Sequence, residues 1–304
     1  MAHQTRVQAR GAIMFESDKP HIDNSRCDRC AVRDRTVCAV AHLAAENELA
    51  RVSRTRRVPA GETILAENAE ASIVGNVLAG VLRMTKTLPD GREQIVGLIN
   101  PGEFFGRPYS ETVEFAYEAA TDVELCVMDR RSFEAVVARN PELEHELLLT
   151  TLDDLAFARE RMLLLGCQNT LERVATYLLV MLEHREQLFA DVALQEHKRV
   201  AVSAITRRDL ASYLSTTIET ISRHIHHLSR IGVIRIIDSS RFEVLAYEML
   251  LALSGLARED LRLFRKAPLF GRGPRLVALN GIIQSRQTPV LTSVKTRSSR
   301  IGHF

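Results

Sequence analysis

Three of the chain's five cysteines crowd into twelve residues, as Cys27, Cys30 and Cys38 in the spacing Cys-x2-Cys-x7-Cys. A soft metal centre needs several thiolates at one point, and close spacing lowers the loop entropy of gathering them. The arginines between the thiols (Arg29, Arg33 and Arg35) offset thiolate charge and should favour deprotonation. A fourth ligand must come from elsewhere, with Cys126 and Cys167 both available. Four thiolates suit an iron–sulfur cluster or zinc, and His42, four residues after Cys38, would complete a Cys3His zinc set. Spacing alone does not choose between the metals. The plainer alternative is a polar segment with three unligated thiols. An odd cysteine count, with a polar first 26 residues and no apolar signal core, argues against a disulfide framework and a secreted chain.

A second concentration of chemistry lies between 171 and 247. Thr206-Arg207-Arg208-Asp209 reads as a capping box with Asp in place of Glu or Gln, and opens a short helix carrying Leu210, Ala211 and Leu214. Ser215-Thr216-Thr217 makes a turn into a second helix from Ile218 to Leu228, stopped at Gly232. Two short runs, Val233 to Ile237 and Arg241 to Val244, flank an Asp238-Ser239-Ser240 turn. Two helices, a tight turn and a hairpin make a winged helix-turn-helix. Ile221, Ile225 and Leu228 form the buried face of the second helix, while Glu219, Ser222 and Arg223 share the outer one. Arginine can donate twice to guanine O6 and N7, and glutamate can accept from a cytosine amino group. Glutamate is costly in a phosphate-rich groove unless it reads a base or orients the arginine. The competing assignment is a helical hairpin with a solvated Glu–Arg pair. The His224, His226 and His227 patch continues this helix and is expected to meet phosphates or solvent rather than a metal.

These two sets need a scaffold. From Arg57 to Met128 short apolar runs alternate with Gly and Pro turns, including Asp90-Gly91, which predicts a hairpin. That spacing suggests a barrel or jelly roll. A short helix is expected from Ala39 to Arg51. Asn140 and Pro141 mark the N-cap and first position of a long helix from Glu142 to Cys167. Along it Leu148, Thr151, Leu155, Ala158, Met162 and Leu165 repeat in steps of three and four, an a/d seam for a second copy. Leu143, Leu147, Phe157 and Leu164 occupy the other flank and should pack on the chain's own barrel; an ordinary intramolecular core helix is the alternative. The fold class is α+β: an N-terminal β-roll, a long dimerisation helix and a C-terminal winged helix-turn-helix. Expected boundaries are a flexible arm at 1–26, a cysteine segment at 27–50, the β-roll at 51–135, the dimer helix at 136–168, the DNA-binding domain at 169–250 and a partly disordered basic tail at 251–304. The chain has 304 residues, 46% hydrophobic and 26% charged, which excludes wholesale disorder. Its net charge is only +2, although 261–304 holds nine Lys or Arg and no acid. A DNA-binding assignment therefore rests on the local site, not on bulk charge.

Barrel, long helix and winged helix, with Glu219-Thr220-x-Ser222-Arg223, resemble the CRP/FNR family of bacterial transcription regulators over about residues 25–250. The cysteine spacing with Cys126 is similar to the oxygen-sensing FNR branch, in its FnrL-like alphaproteobacterial form. The resemblance implies a [4Fe–4S] cluster on Cys27, Cys30, Cys38 and Cys126, lost to oxygen together with dimerisation and DNA binding. It also implies base reading by Glu219, Ser222 and Arg223 at TTGA half-sites in TTGA-N6-TCAA palindromes. Cys167 matches no ligand, and the tail from about 255 has no counterpart in the family pattern.

The cyclic-nucleotide branch is the nearest competitor. Its phosphate pocket pairs Gly-Glu with a following Arg-Ser or Arg-Thr, because a buried phosphodiester needs a cation and backbone donors. The corresponding positions here read Phe105-Gly106-Arg107-Pro108-Tyr109-Ser110 and Glu114-Phe115-Ala116, so no cyclic nucleotide is expected. No phosphate loop, nucleophile elbow or metalloprotease motif suggests an enzyme. The expected partners are double-stranded DNA, a second copy and RNA polymerase. With no apolar run near the ~18 residues of a span, no membrane is expected, and the expected location is the cytoplasm.

Overall fold

Alternating apolar residues between 53 and 129 build two facing four-stranded sheets. In chain order the strands are β1 (Ser53–Val58), β2 (Thr63–Leu65), β3 (Ile73–Ala79), β4 (Leu82–Thr87), β5 (Glu93–Ile99), β6 (Phe104–Phe105), β7 (Ala116–Ala119) and β8 (Val123–Asp129). One sheet runs β1-β8-β3-β6 and the other β2-β7-β4-β5, with every pair antiparallel. Val77, Leu82, Phe105, Leu125 and Val127 fill the space between them. The β3–β4 turn needs glycine twice over. Gly80 has φ +80°, and a Cβ there would meet the Asp122 carbonyl oxygen at 2.2 Å. This computed structural model describes residues 27, 29–40, 43–188 and 199–262. The expected arm, His42 and the tail beyond 262 lie outside them.

The β1-β8-β3-β6 sheet is apolar on its outer face too. Val74 and Met128 pack there against Val37, Leu49, Phe133, Val136, Leu143 and Leu147. The cysteine segment is thereby laid over this face as two 3-10 turns, Arg33–Arg35 and Val37–Val40, followed by helix α1 (Leu43–Val52). The helix expected from Ala39 starts four residues late. Upstream, the Thr36 hydroxyl donates to the Arg33 carbonyl and accepts from the Cys38 N–H, local bonds that hold the chain in turns.

After α2 (Arg130–Val137) comes α3 (Pro141–Cys167), 27 residues and about 40 Å long. Pro141 sits in its first turn as expected. Asn140 does not cap with its side chain, whose amide donates to the Val136 carbonyl at 2.7 Å instead. Leu143, Leu147 and Leu164 are buried against the chain's own core and Phe157 is half-buried. Leu148, Thr151, Leu155, Ala158 and Met162 lie exposed as a continuous stripe, with Leu152 and Leu163 beside it. Leu165 departs from the expected seam: it is half-buried against the C-terminal core.

Gln168 and Asn169 break the helix. Asn169 accepts from the Leu171 and Glu172 N–H groups and so starts α4 (Thr170–Leu188), an element absent from the sequence reading. Beyond it lie β9 (Val200–Val202), α5 (Arg207–Tyr213), α6 (Ile218–Arg230), β10 (Ile234–Ile236), β11 (Arg241–Val244) and α7 (Tyr247–Ser254). The small sheet is ordered β10-β11-β9. Val174 and Leu178 of α4 join Leu210, Ile221, Ile225, Phe242 and Leu250 in one core.

Polar contacts dock this domain on the roll. Arg83 of β4 reaches Glu118 at 2.8 Å and Asp209 at 2.6 Å, and the Ile95 N–H donates to the Ser212 hydroxyl. Arg161 of α3 donates from Nη2 to the carbonyls of Ile95 and Tyr213, both at 2.7 Å, and lies 3.7 Å from the Tyr213 ring centre. Burial lowers the Arg161 pKa, and its Nη1 has no partner among the described residues. Arg161→Met strips its bond from the Tyr213 carbonyl and leaves the Ile95 carbonyl to the Gln94 amide, and is expected to cost about 1–3 kcal/mol. A urea midpoint equal to the wild type would mean that burying the guanidinium cancels its bonds, and Arg161 would not be a docking group.

Candidate DNA interface and cysteine centre

The helix-turn-helix is built by two caps. The Thr206 hydroxyl accepts from the Asp209 N–H, and the Asp209 carboxylate accepts from the Thr206 N–H, completing the expected capping box at the start of α5. Ser215 takes the left-handed conformation, φ +52°, in the turn, and the Thr217 hydroxyl accepts from the Thr220 N–H to open α6. Ile221, Ile225 and Leu228 are buried. Glu219 and Arg223 are therefore exposed on the first turns of α6, and Ser222 is half-buried between them. Its own backbone N–H, then the Thr217 hydroxyl, then the Arg223 charge hold the Glu219 carboxyl below the ordinary range.

Sequence reasoning missed Arg207, whose Nη1 donates to the Ser222 hydroxyl at 3.3 Å and brings a second guanidinium to this surface. Its signal was its place at the first position of α5, one residue after the cap. The histidine patch divides. His224 is half-buried and bonded through Nε2 to the Thr170 hydroxyl at 2.8 Å, joining α6 to the start of α4 instead of meeting phosphates. Burial, then the Arg223 and His227 charges, lower its pKa. His226 is exposed and His227 half-buried.

Cys126 lies on β8, paired with Thr55 of β1 and Asn76 of β3. Its neighbours Leu125 and Val127 point into the roll, so the thiol faces outward, beneath the cysteine segment. Cys27, Cys30 and Cys38 are half-buried in successive turns. The Cys30 N–H donates to the Cys27 carbonyl and the Arg33 N–H to the Cys30 carbonyl. Desolvation pushes the Cys126 thiol up to about 12, with Cys38, Cys27 and Cys30 adding like-charge repulsion. Cys38 is pushed up to about 11, again by burial first, with Cys27 and Cys30 contributing. As expected, the Arg33 charge favours ionisation of Cys38, but burial outweighs it. Cys27 and Cys30 thus act on both Cys38 and Cys126, the thiols lying on one side of the sheet. Among the described residues no three His, Cys, Asp or Glu side chains converge on a single ion. A four-iron cube is less demanding, since each thiolate binds its own iron. Asn76, next to Cys126 and 1% exposed, leaves Oδ1 without a partner, a polar group the face does not otherwise explain. On these observations the residues fit the cluster. Cys167, which matches no ligand of the family pattern, is exposed at the C-terminal end of α3.

Two family models match the chain: the cyclic nucleotide-binding domain over 55–140 and the Crp-like helix-turn-helix domain over 172–253. A probable transcriptional activator of Rhizobium leguminosarum bv. viciae is 37% identical over 69% of this chain and 85% of its own length. The transcriptional activator protein FnrL of Cereibacter sphaeroides is 35% identical over 76% of this chain and 92% of its own. The chain belongs to the CRP/FNR family of transcription regulators. The structure of FixK2 from Bradyrhizobium japonicum superposes with a TM-score of 0.60 at 29% identity, over 68% of this chain and 99% of that one.

CRP/FNR regulators bind DNA as dimers, and the stripe on α3 is exposed apolar surface in the protomer. A cavity of about 920 Å³ lies between β5, the 106–109 loop and α3, with Leu148, Thr151 and Ala158 of the stripe among its walls. Arg107 at its edge is paired with Glu114. No described helix is long and apolar enough to cross a membrane.

Proposed function

We propose that this regulator is an oxygen-responsive transcription activator of the cytoplasm. Cys27, Cys30, Cys38 and Cys126 hold a [4Fe–4S] cluster, and the dimer reads TTGA-N6-TCAA palindromes at genes for anaerobic or microaerobic metabolism, with RNA polymerase as its partner and no cyclic nucleotide as ligand. The observation that carries this reading is the placement of Cys126, half-buried on the outer face of the sheet that the Cys27–Cys38 segment covers, with the other three cysteines half-buried in that segment. The similarity to a protein named as the activator FnrL supports it. Bound there, the cluster supplies an oxygen-labile bridge between the segment and the roll. The chain transmits the rest. The Val37–Val40 turn packs on α3, so a change in how the segment is held reaches the dimer stripe directly. A single-ion zinc site built from the described cysteines alone has no convergent triad in its favour. Iron and sulfide content with an absorption spectrum after anaerobic purification decides the matter: about four of each per protomer and air-bleachable broad absorbance are expected. Stoichiometric zinc instead would overturn the reading.

At the DNA, the two guanidinium donors of Arg223 suit the single G·C pair of TTGA, with Glu219 accepting from the paired cytosine. Arg223→Ala should cost about 1–3 kcal/mol per half-site and relax discrimination at that pair. Gel shifts at fixed salt on the four variants of that position check this. Unchanged sequence preference would remove Arg223 from base reading.

A further inference from the structure

Asn76 sits at the middle of β3, its Cα paired with Cys126 on one side and with Phe104 on the other. Cross-strand partners share a face, so its carboxamide stands beside the Cys126 thiol on the outer side of the sheet. The surroundings are otherwise apolar: Val74, Met128, Val37 and Phe133 are buried there, with Phe104 and Cys38 packed against them. Asn76 is 1% exposed, and its Oδ1 has no hydrogen-bond partner among the described residues. A buried amide oxygen without a partner is rare, and it asks for an explanation in what surrounds it. Ser53 and Thr55 of β1 share this face; the Ser53 side chain bonds the Cys126 thiol from the β1 side, and Asn76 flanks it from β3.

We propose that Asn76 is a positioning residue for the sulfur of Cys126, donating a side-chain N–H to it when the thiolate is a metal ligand. The inference rests on the reading that the four cysteines hold a [4Fe–4S] cluster. The amide can turn about its last bond to present either its oxygen or its nitrogen, and a ligated thiolate sulfur accepts but cannot donate. In the thiol state the same side chain has nothing ionised to bond. Hydrogen bonds to cluster sulfurs raise the reduction potential and set resistance to oxidation, while outer partners orient the ligands. Asn76 is thus a determinant of how readily this protein loses its signal in air, rather than of whether iron binds.

The test compares wild type, Asn76→Leu and Asn76→Thr, each as the full chain purified anaerobically. Leucine matches the volume without a donor; threonine keeps a hydroxyl on a strand-compatible side chain. Asn76→Leu should retain the wild-type iron and sulfide content, show a lower midpoint potential and bleach in air about tenfold faster, the lower end of what outer-shell partners are worth. Asn76→Thr should recover part of the lifetime. Stripped of iron, Asn76→Leu should melt no lower than wild-type apoprotein, since a buried amide with an unpaired oxygen has been replaced by an apolar group. Full iron with a wild-type midpoint and bleaching rate would overturn the donor assignment. A lower apoprotein melting temperature would make Asn76 a structural group. Wild-type protein without iron and sulfide would overturn the cluster reading itself, and would be seen before any variant is made.

Discussion

Cys126→Ser is expected to emerge from anaerobic purification with no bound cluster and no specific DNA binding. A cube of four irons takes one thiolate per iron, and the other three proposed ligands all lie in the short 27–38 segment. Cys126 is the one donor on the rigid sheet, so its loss also removes the anchor that ties that segment to the roll. The remaining thiol cannot substitute. Cys167 is exposed at the end of a 27-residue helix, about 40 Å from its start beside the cysteine segment. Cys167→Ser is accordingly expected to keep full iron content and wild-type DNA affinity. The apoprotein of Cys126→Ser should melt close to wild type, within about 1 kcal/mol, because the Ser53 side chain already bonded to the thiol remains to satisfy a hydroxyl. Iron and sulfide assays with a gel shift on the palindrome check all three statements. Iron lost in Cys167→Ser and kept in Cys126→Ser would reverse the assignment of the fourth ligand.

The parts legible in the sequence were those written by local rules. Thr206 and Asp209 stand at the capping-box spacing and make the box; Ile221, Ile225 and Leu228 mark the buried face that turns Glu219 and Arg223 outward. The Asp90-Gly91 turn and the strand at Cys126 were likewise legible, because alternation and turn residues fix them. What escaped depends on pairs distant in the chain. Arg83 with Asp209, and Arg161 with the Tyr213 carbonyl, dock two domains through contacts with no periodicity to read. Asn76 looked like any polar strand residue until the register set it beside Cys126. The arginines around the cysteines were weighed as charges in water, whereas desolvation at Cys38 outweighs the Arg33 charge. Leu165 continued the heptad arithmetic, yet the break at Gln168 turns α4 back so that its core reaches Leu165 first.

Leu155→Asp should break the dimer, and Ala158→Asp should weaken it. In the protomer both positions are exposed, Leu155 at 45%, so a carboxylate there meets water and costs the single chain little. In the proposed dimer each would face the partner copy along the stripe that begins at Leu148, also exposed, and ends at Met162, 73% exposed. Covering a leucine is worth about 1.5–3 kcal/mol, and a twofold interface loses it twice. Two like charges brought together with partial loss of water add to that penalty. The dimer constant should therefore rise by roughly a hundredfold or more for Leu155→Asp, at about 1.4 kcal/mol per factor of ten. Ala158→Asp removes little apolar area and acts through repulsion, so about tenfold is expected. Thr151 and Ala158 are small or polar interruptions, which should leave the wild-type dimer weak enough for a signal to shift. Two winged helices must stand about one DNA turn, ~34 Å, apart to fill both half-sites, so specific DNA affinity should fall together with dimerisation. Glu142→Gln, a change in the first turn away from the stripe, should alter neither. Sedimentation of the anaerobic, iron-loaded proteins, run beside gel shifts on the palindrome, checks each value. Iron content equal to wild type shows that the substitution has not acted through the cysteines. An iron-loaded Leu155→Asp protein that dimerises at the wild-type constant would take the stripe out of the interface and the mechanism with it.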